Sequence, residues 1–172
     1  ALALMSVLPA FAQSTGKEKN IQIISSYRYD DAWNQLICSK ITFYAKKIIP
    51  GVSVSLANTD IVHKQSLAEG ASEISEVFSR IQKTPDAVVI VGTEAWMVLK
   101  KSGIQLRNIP IVVCAPSDET MADYTYFLAT HTVPDSLIRS LKDETTGYNV
   151  TGVFGKDNIR ATIIALKILF PN

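Results

Sequence analysis

Apolar and polar positions along this chain alternate between two periods. Ile21-Gln22-Ile23-Ile24-Ser25 is short and rich in β-branched residues, which predicts a strand. After a polar turn over Tyr27 to Asp31, the residues Trp33, Ile37, Ile41, Tyr44 and Ile48 recur at three- and four-residue steps, one face of a helix. Asp30 or Asp31 can cap that helix, and Pro50-Gly51 stops it. Val52-Ser53-Val54-Ser55-Leu56 alternates as a half-buried strand near a sheet edge does. Ser66 and Glu69 have the spacing of a capping box, ahead of a second helical face marked by Leu67, Ala71, Ile74, Phe78 and Ile81.

Ala87-Val88-Val89-Ile90-Val91 is continuously apolar, the signature of a central parallel strand covered on both faces. Gly92-Thr93-Glu94 opens a shorter helix that Gly103 can terminate, and Pro110-Ile111-Val112-Val113-Cys114 reads as a fourth strand. From Pro116 to Asn149 the pattern blurs, with a helical stretch expected over 136–144. Val150-Thr151-Gly152-Val153 predicts a fifth short strand, and Ile159, Ile163, Leu166 and Leu169 a final helix.

Strands alternating with helices over short connections require a mostly parallel sheet with helices on both faces. The expected fold is a three-layer α/β/α sandwich of four to five strands. Such sheets bind ligands beyond the carboxyl ends of their strands, near the point where strand order reverses. That rule nominates Ser25-Ser26-Tyr27, Thr59-Asp60, Gly92-Thr93-Glu94 and Ala115-Pro116-Ser117.

Composition narrows the function. The chain has 172 residues, with 17 Lys plus Arg against 16 Asp plus Glu, so no basic face for nucleic acid is expected. A hydrophobic content of 47% is enough to build a core. Part of it lies in residues 1–12, an uncharged apolar stretch ending Ala10-Phe11-Ala12, which reads as the remnant of a secretory signal. No Cys follows to carry a lipid anchor, residues 13–19 read as a polar linker, and both ends of the chain read as fragment boundaries.

No enzyme signature emerges. The first strand is followed by Ser25-Ser26-Tyr27-Arg28-Tyr29, with none of the glycines of a dinucleotide loop, and neither a P-loop nor a nucleophile elbow is present. His63 and His131 stand apart from any triad or metal-ligand spacing, so no cofactor and no metal are expected. Cys38 and Cys114 read as free, buried residues behaving as small apolar groups, on elements that nothing obvious brings together. The sequon at Asn149-Val150-Thr151 matters only in a eukaryotic secretory pathway.

The loops carry a better signal. Gly92-Thr93-Glu94 can hold a polar ligand on a helix N-terminus, or Thr93 can simply cap the helix. Ser25 and Ser26 offer hydroxyls at the same end of the sheet, and Tyr27, Tyr29 and Trp33 offer aromatic walls, although Trp33 fits a core role better. Asp60 can accept ligand hydrogen bonds or merely turn the chain.

In order and spacing, several segments together resemble one family. They are Ile23-Ile24-Ser25-Ser26-Tyr27, Trp33-Asn34, Pro85 to Gly92 with Ala95, Ile109 to Val113, Asn149 to Val153 and Leu166 to Asn172. Over residues 20–172 they look like the N-terminal lobe of a type I periplasmic-binding-protein-like module, of flavodoxin-like topology. This ABC-transporter substrate-binding-like group also supplies extracytoplasmic sensor domains of bacterial hybrid histidine kinases. The resemblance implies a periplasmic module without catalysis of its own. It binds a small solute between two lobes, with the second lobe and the transmembrane and kinase modules further along the same polypeptide, and it allows a homodimer. It places Ser25, Ser26, Tyr27, Asp60, Gly92, Thr93, Glu94 and Ser117 near the cleft. The alternatives are a free solute-binding protein of a transporter, or a small flavodoxin-like enzyme using Ser25 or Ser26 as nucleophile.

Overall fold

The computed structural model describes residues 18–64, 66–81, 83–106, 108–115, 119–121, 138–140, 147–154, 163–164, 166 and 168–170. Its centre is a five-stranded sheet of β1 (Asn20–Ser25), β2 (Ser53–Asn58), β3 (Ala87–Val91), β4 (Ile111–Ala115) and β7 (Val150–Phe154). The strand order is β2-β1-β3-β4-β7 and every pairing is parallel, the order of a flavodoxin-like doubly wound sheet. Register places Ser25 beside Asn58 on one side and Val91 on the other, so the three strand ends reach one level.

Helices cover both faces. On one, α1 (Ala32–Ile48) presses Ile37, Cys38, Ile41 and Ala45 against Ile21, Ile23, Val89, Val91, Val112 and Cys114. On the other, α2 (Leu67–Arg80) and α3 (Thr93–Ser102) bury Ala71, Ile74, Trp96, Val98 and Leu99 on Ile24, Val88, Ile90, Ile111 and Val113. Successive residues of β3 feed the two layers alternately, and all five are buried, as a run without polar positions requires. The expected three-layer sandwich is the observed one.

The local signals act as their chemistry dictates. Asp31 caps α1, its Oδ1 accepting the Asn34 N–H at 2.7 Å. Ser66 caps α2, its Oγ accepting the Glu69 N–H at 3.2 Å. Gly103 ends α3 in the left-handed conformation, with φ 71°. The buried stripe of α1 runs Asn34, Ile37, Cys38, Ile41, Ala45, leaving the expected Tyr44 and Ile48 half-buried at its margin. β2 is an edge strand, as its alternation predicts, although it begins one residue later and extends to Asn58. Ile163, Ile164, Leu166, Ile168 and Leu169 are helical, with Leu166 fully buried in the α1-side layer.

The helix expected over 136–144 is overturned. Within 136–144, where a helix is expected, Ile138–Ser140 form a strand, β6, paired antiparallel with β5 (Glu119–Met121). Cross-strand pairing decides the conformation of a segment whose own periodicity is too weak to specify one. The remainder of that stretch, like the signal-like residues 1–12, lies outside the described residues. Among the described residues no helix is long and apolar enough to cross a membrane, and no group of three or more His, Cys, Asp or Glu could hold a metal ion.

Neither Cys38 nor Cys114 is in a disulfide; both are buried, and the fold brings them into the same apolar layer. Burial, and then the neighbouring Cys114, push the Cys38 thiol up to about 12, partly opposed by a hydrogen bond with Ser25. A thiol held in its neutral form is a poor nucleophile. The native protein is therefore expected to leave a disulfide dye unreacted at pH 8, with both thiols titrating once denaturant is added. Rapid modification of Cys38 in the folded state would show the layer to be open.

Candidate functional site

The chain leaves β1 toward one face of the sheet, to α1, and leaves β3 toward the other, to α3. Between these adjacent strands the connections diverge, which opens a crevice at their carboxyl ends. The loops that meet there are Ser26-Tyr27-Arg28, the end of β2 through Asp60, and Gly92-Thr93-Glu94.

Ser26 ties the three together. Its N–H donates to the Val91 carbonyl at 2.8 Å and its own carbonyl accepts the Ile61 N–H at 2.9 Å. Its hydroxyl oxygen accepts the Ala95 N–H at 2.8 Å, so the first turn of α3 is capped from a different strand. The N-cap position itself is Gly92, whose φ is 91° and which offers no side chain; Thr93 is the first helical residue and not the cap. A Cβ on Gly92 would lie 2.4 Å from Ser26 Oγ and 2.8 Å from Ser26 Cβ. Backbone conformation and close approach both require glycine there.

Ser25 belongs to a second, buried network. Its hydroxyl donates to Asn34 Oδ1 at 2.7 Å, while Thr59 donates to the Ser25 carbonyl through both its N–H (2.9 Å) and its hydroxyl (2.7 Å). Asn34 Nδ2 donates to the Arg28 carbonyl and to Asn58 Oδ1, each at 2.7 Å, and Cys38 Sγ lies 3.2 Å from Asn34 Oδ1. Asn34 thus fastens the β1–α1 loop to the end of β2. Sequence reasoning missed this role, although a polar residue on the buried face of α1, three before Ile37, was the available signal.

Ser25 and Ser26 are both fully buried and shape the crevice from beneath. Tyr27 is half-buried, its ring edge-on to Trp33 at 5.0 Å between centroids, and Trp33 packs against the α1-side core. Burial first, then the carboxylates of Glu94 and Asp31 and the Cys114 thiol, push the Tyr27 phenol up to about 12. Glu94 is half-buried, and its Oε2 is shut from solvent with no hydrogen-bond partner. That oxygen lies 3.1 Å from where a Gly92 Cβ would be.

Asp60 adopts the left-handed conformation, φ 46° and ψ 38°, which Asp tolerates better than most residues. Its Oδ1 contacts His63 Nδ1 at 2.5 Å, so His63, expected to stand apart, has a carboxylate partner. Ser117 and His131 lie outside the described residues. The fold therefore gathers Ser25, Ser26, Tyr27, Gly92, Thr93 and Glu94 at one divergence point, with Asp60 one strand further along.

No family model matches the chain, and no curated protein matches it in sequence. Among solved structures it is similar to an ABC domain in complex with L-Trp from Streptococcus pneumoniae, at 15% identity and a TM-score of 0.48 over 80% of this chain. It is also similar to the fructose-binding periplasmic domain of a hybrid two-component system, at 14% identity and a TM-score of 0.38 over 55% of this chain. The chain spans 39% of the first structure and 29% of the second. An oxidoreductase from Corynebacterium diphtheriae is matched over 89% of this chain and 97% of its own, at 13% identity and a TM-score of 0.46.

Two predictions test this geometry. Replacing Ser26 by Ala strands a buried N–H and is expected to cost about 1–3 kcal/mol in chemical denaturation. Gly92→Ala, which adds the clash and the backbone strain, is expected to cost more. Equal midpoints for Ser26→Ala and the parent would mean that the cross-strand cap contributes nothing. The second concerns Tyr27, whose folded pKa of about 12 exceeds the ordinary 10.0. The unfolded chain loses this proton first, so the stability contributed by neutral Tyr27 is present below pH 10 and is lost as pH rises towards 12. Tyr27→Phe should flatten that alkaline decline and remove a tyrosinate titrating near 12 from the absorbance titration. Unchanged profiles in both measurements would refute the assignment.

Proposed function

We propose that this chain is the first lobe of an extracytoplasmic solute-binding domain, one half of a hinge-closing module that senses a small molecule for a membrane-bound hybrid histidine kinase. The observation that carries the reading is the crevice at the β1/β3 divergence. It has the position at which doubly wound sheets hold ligands, and the loops that carry Tyr27 and Glu94 meet there, joined by the Ser26 hydroxyl. The order of family-like segments and the signal-like residues 1–12 support an exported module.

Binding without turnover is the chemistry these groups favour. The two serines that a hydrolase would use are fully buried, Ser26 as a helix cap and Ser25 in the Asn34 network. A nucleophile needs an adjacent base and room for substrate, and neither hydroxyl has the room. Lobe closure around a solute would bias the orientation of a membrane-spanning segment, the differential contact that a sensor requires.

The test is small-angle scattering of the full-length protein's extracytoplasmic part during a screen of sugars, amino acids, nucleobases and amines, paired with autophosphorylation of the reconstituted protein. A solute that contracts the particle and changes the phosphorylation rate is the expected result. A full-length protein with a second lobe but no membrane span would instead be a free solute-binding protein. Consumption of a solute by the purified protein would establish an enzyme.

A further inference from the structure

β2 is the outermost strand on one side of the sheet, and among the described residues no strand pairs with its free edge. The Ser53 N–H donates to the Lys19 carbonyl at 2.8 Å and the Thr59 N–H to the Ser25 carbonyl at 2.9 Å. Backbone groups alternate in direction along a strand, so residues 53, 55, 57 and 59 turn theirs toward β1. Val54, Leu56 and Asn58 therefore aim their N–H and C=O groups outward. Protected edges carry a charge, a proline or a bulge that discourages pairing. Ser53–Asn58 has neither charge nor proline, and its register with β1 is unbroken.

Apolar surface gathers beside this edge. On the α1 face, Leu56 and Asn58 line a groove of about 520 Å³ together with Tyr29, Phe43 and Lys46. Tyr29, Leu36, Phe43 and Leu56 are four of the six large apolar residues that stand exposed among the described residues. Such a concentration marks an interaction surface. The charge beside it is one-sided. Asp30 and Asp31 precede the first turn of α1, Lys46 and Lys47 occupy its last turn, and no acid lies within the helix. Lys40, Lys46 and Lys47 join none of the ion pairs among the described residues.

We propose that a second copy of this chain covers this surface, with β2 pairing antiparallel to its own counterpart about a twofold axis at Leu56. In that register Leu56 meets Leu56 of the partner subunit, and Val54 meets Asn58 of the partner subunit. Outward backbone groups then meet outward backbone groups at every pair, and the two sheets join into one. The axis keeps both α1 helices on one face and reverses one against the other. The lysine end of each helix thereby lies toward the acidic end of its counterpart, with the helix dipoles opposed. An edge without charge, flanked by a helix with opposite charges at its two ends, is complementary to itself. The inference does not rest on the crevice's holding a solute.

The experiment cross-links the full-length protein with a short bismaleimide. Leu56→Cys puts two thiols at the axis, about 5.5 Å apart between Cα atoms. Ser53→Cys places a thiol on the same exposed strand, but its two copies would lie about 20 Å apart, beyond the reagent. The parent, whose two cysteines are buried, gives the background. Leu56→Cys is expected to form a cross-linked dimer at least about tenfold faster than Ser53→Cys, because pairing raises the local thiol concentration. Adding Lys46→Glu sets like charges together at both ends of the interface and should slow the reaction about fivefold at low salt. Thermal melts of the variants report whether the fold is intact.

Equal rates for Leu56→Cys and Ser53→Cys, or no dimer from a folded Leu56→Cys protein, would overturn the proposal. So would a rate that Lys46→Glu leaves unchanged. If Leu56→Cys in intact cells joins instead to a polypeptide of another size, the edge belongs to a foreign partner and the proposal falls. None of these outcomes bears on solute binding, which the scattering screen decides separately.

Discussion

The hydrogen bond from the Ala95 N–H to the Ser26 hydroxyl is the constraint on which this end of the molecule depends. It joins the residue following β1 to the first turn of α3, two segments 69 positions apart in the chain. Gly92 must lack a side chain for the hydroxyl to arrive, and its positive φ turns the chain sharply from strand into helix. Once Ser26 is fixed, its carbonyl fixes the Ile61 N–H, and the loop after β2 is set as well. Three loops thus share one anchor, and the positions of Tyr27 and Glu94 follow from it.

A second anchor lies beneath. Asn34 satisfies a strand-end serine, a loop carbonyl and another asparagine from one buried side chain. Fully bonded polar groups in a low-dielectric interior are rigid, and losing one partner is costly. The carboxyl ends of β1 and β2 are accordingly stiff.

The sheet was legible because burial on both faces imposes its own pattern. Ala87 to Val91 could be nothing but a central strand, and the alternation of residues 52–56 announced an edge strand. The capping residues Asp31 and Ser66 were legible for the same reason: short-range chemistry is written in short-range sequence. The cap on α3 was not, since Thr93 occupied the expected place while the hydroxyl came from Ser26, far away in the chain. The Asn34 network and the contact between Asp60 and His63 arise only once the loops are folded together. The strand at residues 138–140 escaped because its partner, not its own periodicity, decides it.

The two cysteines carry a consequence for how the protein must be made. Folded, both thiols lie in one dry layer, and Cys38 is held in its unreactive form. Unfolded, the same thiols have ordinary acidity and face whatever oxidant surrounds them. If the chain is exported to an oxidising compartment, as proposed, it is in a race there, since packing α1 onto β4 must outpace thiol oxidation. A chain that loses this race acquires a cross-link or an oxidised sulfur where the core has room only for a small apolar group. Speed of folding, as much as depth of the energy well, protects these thiols.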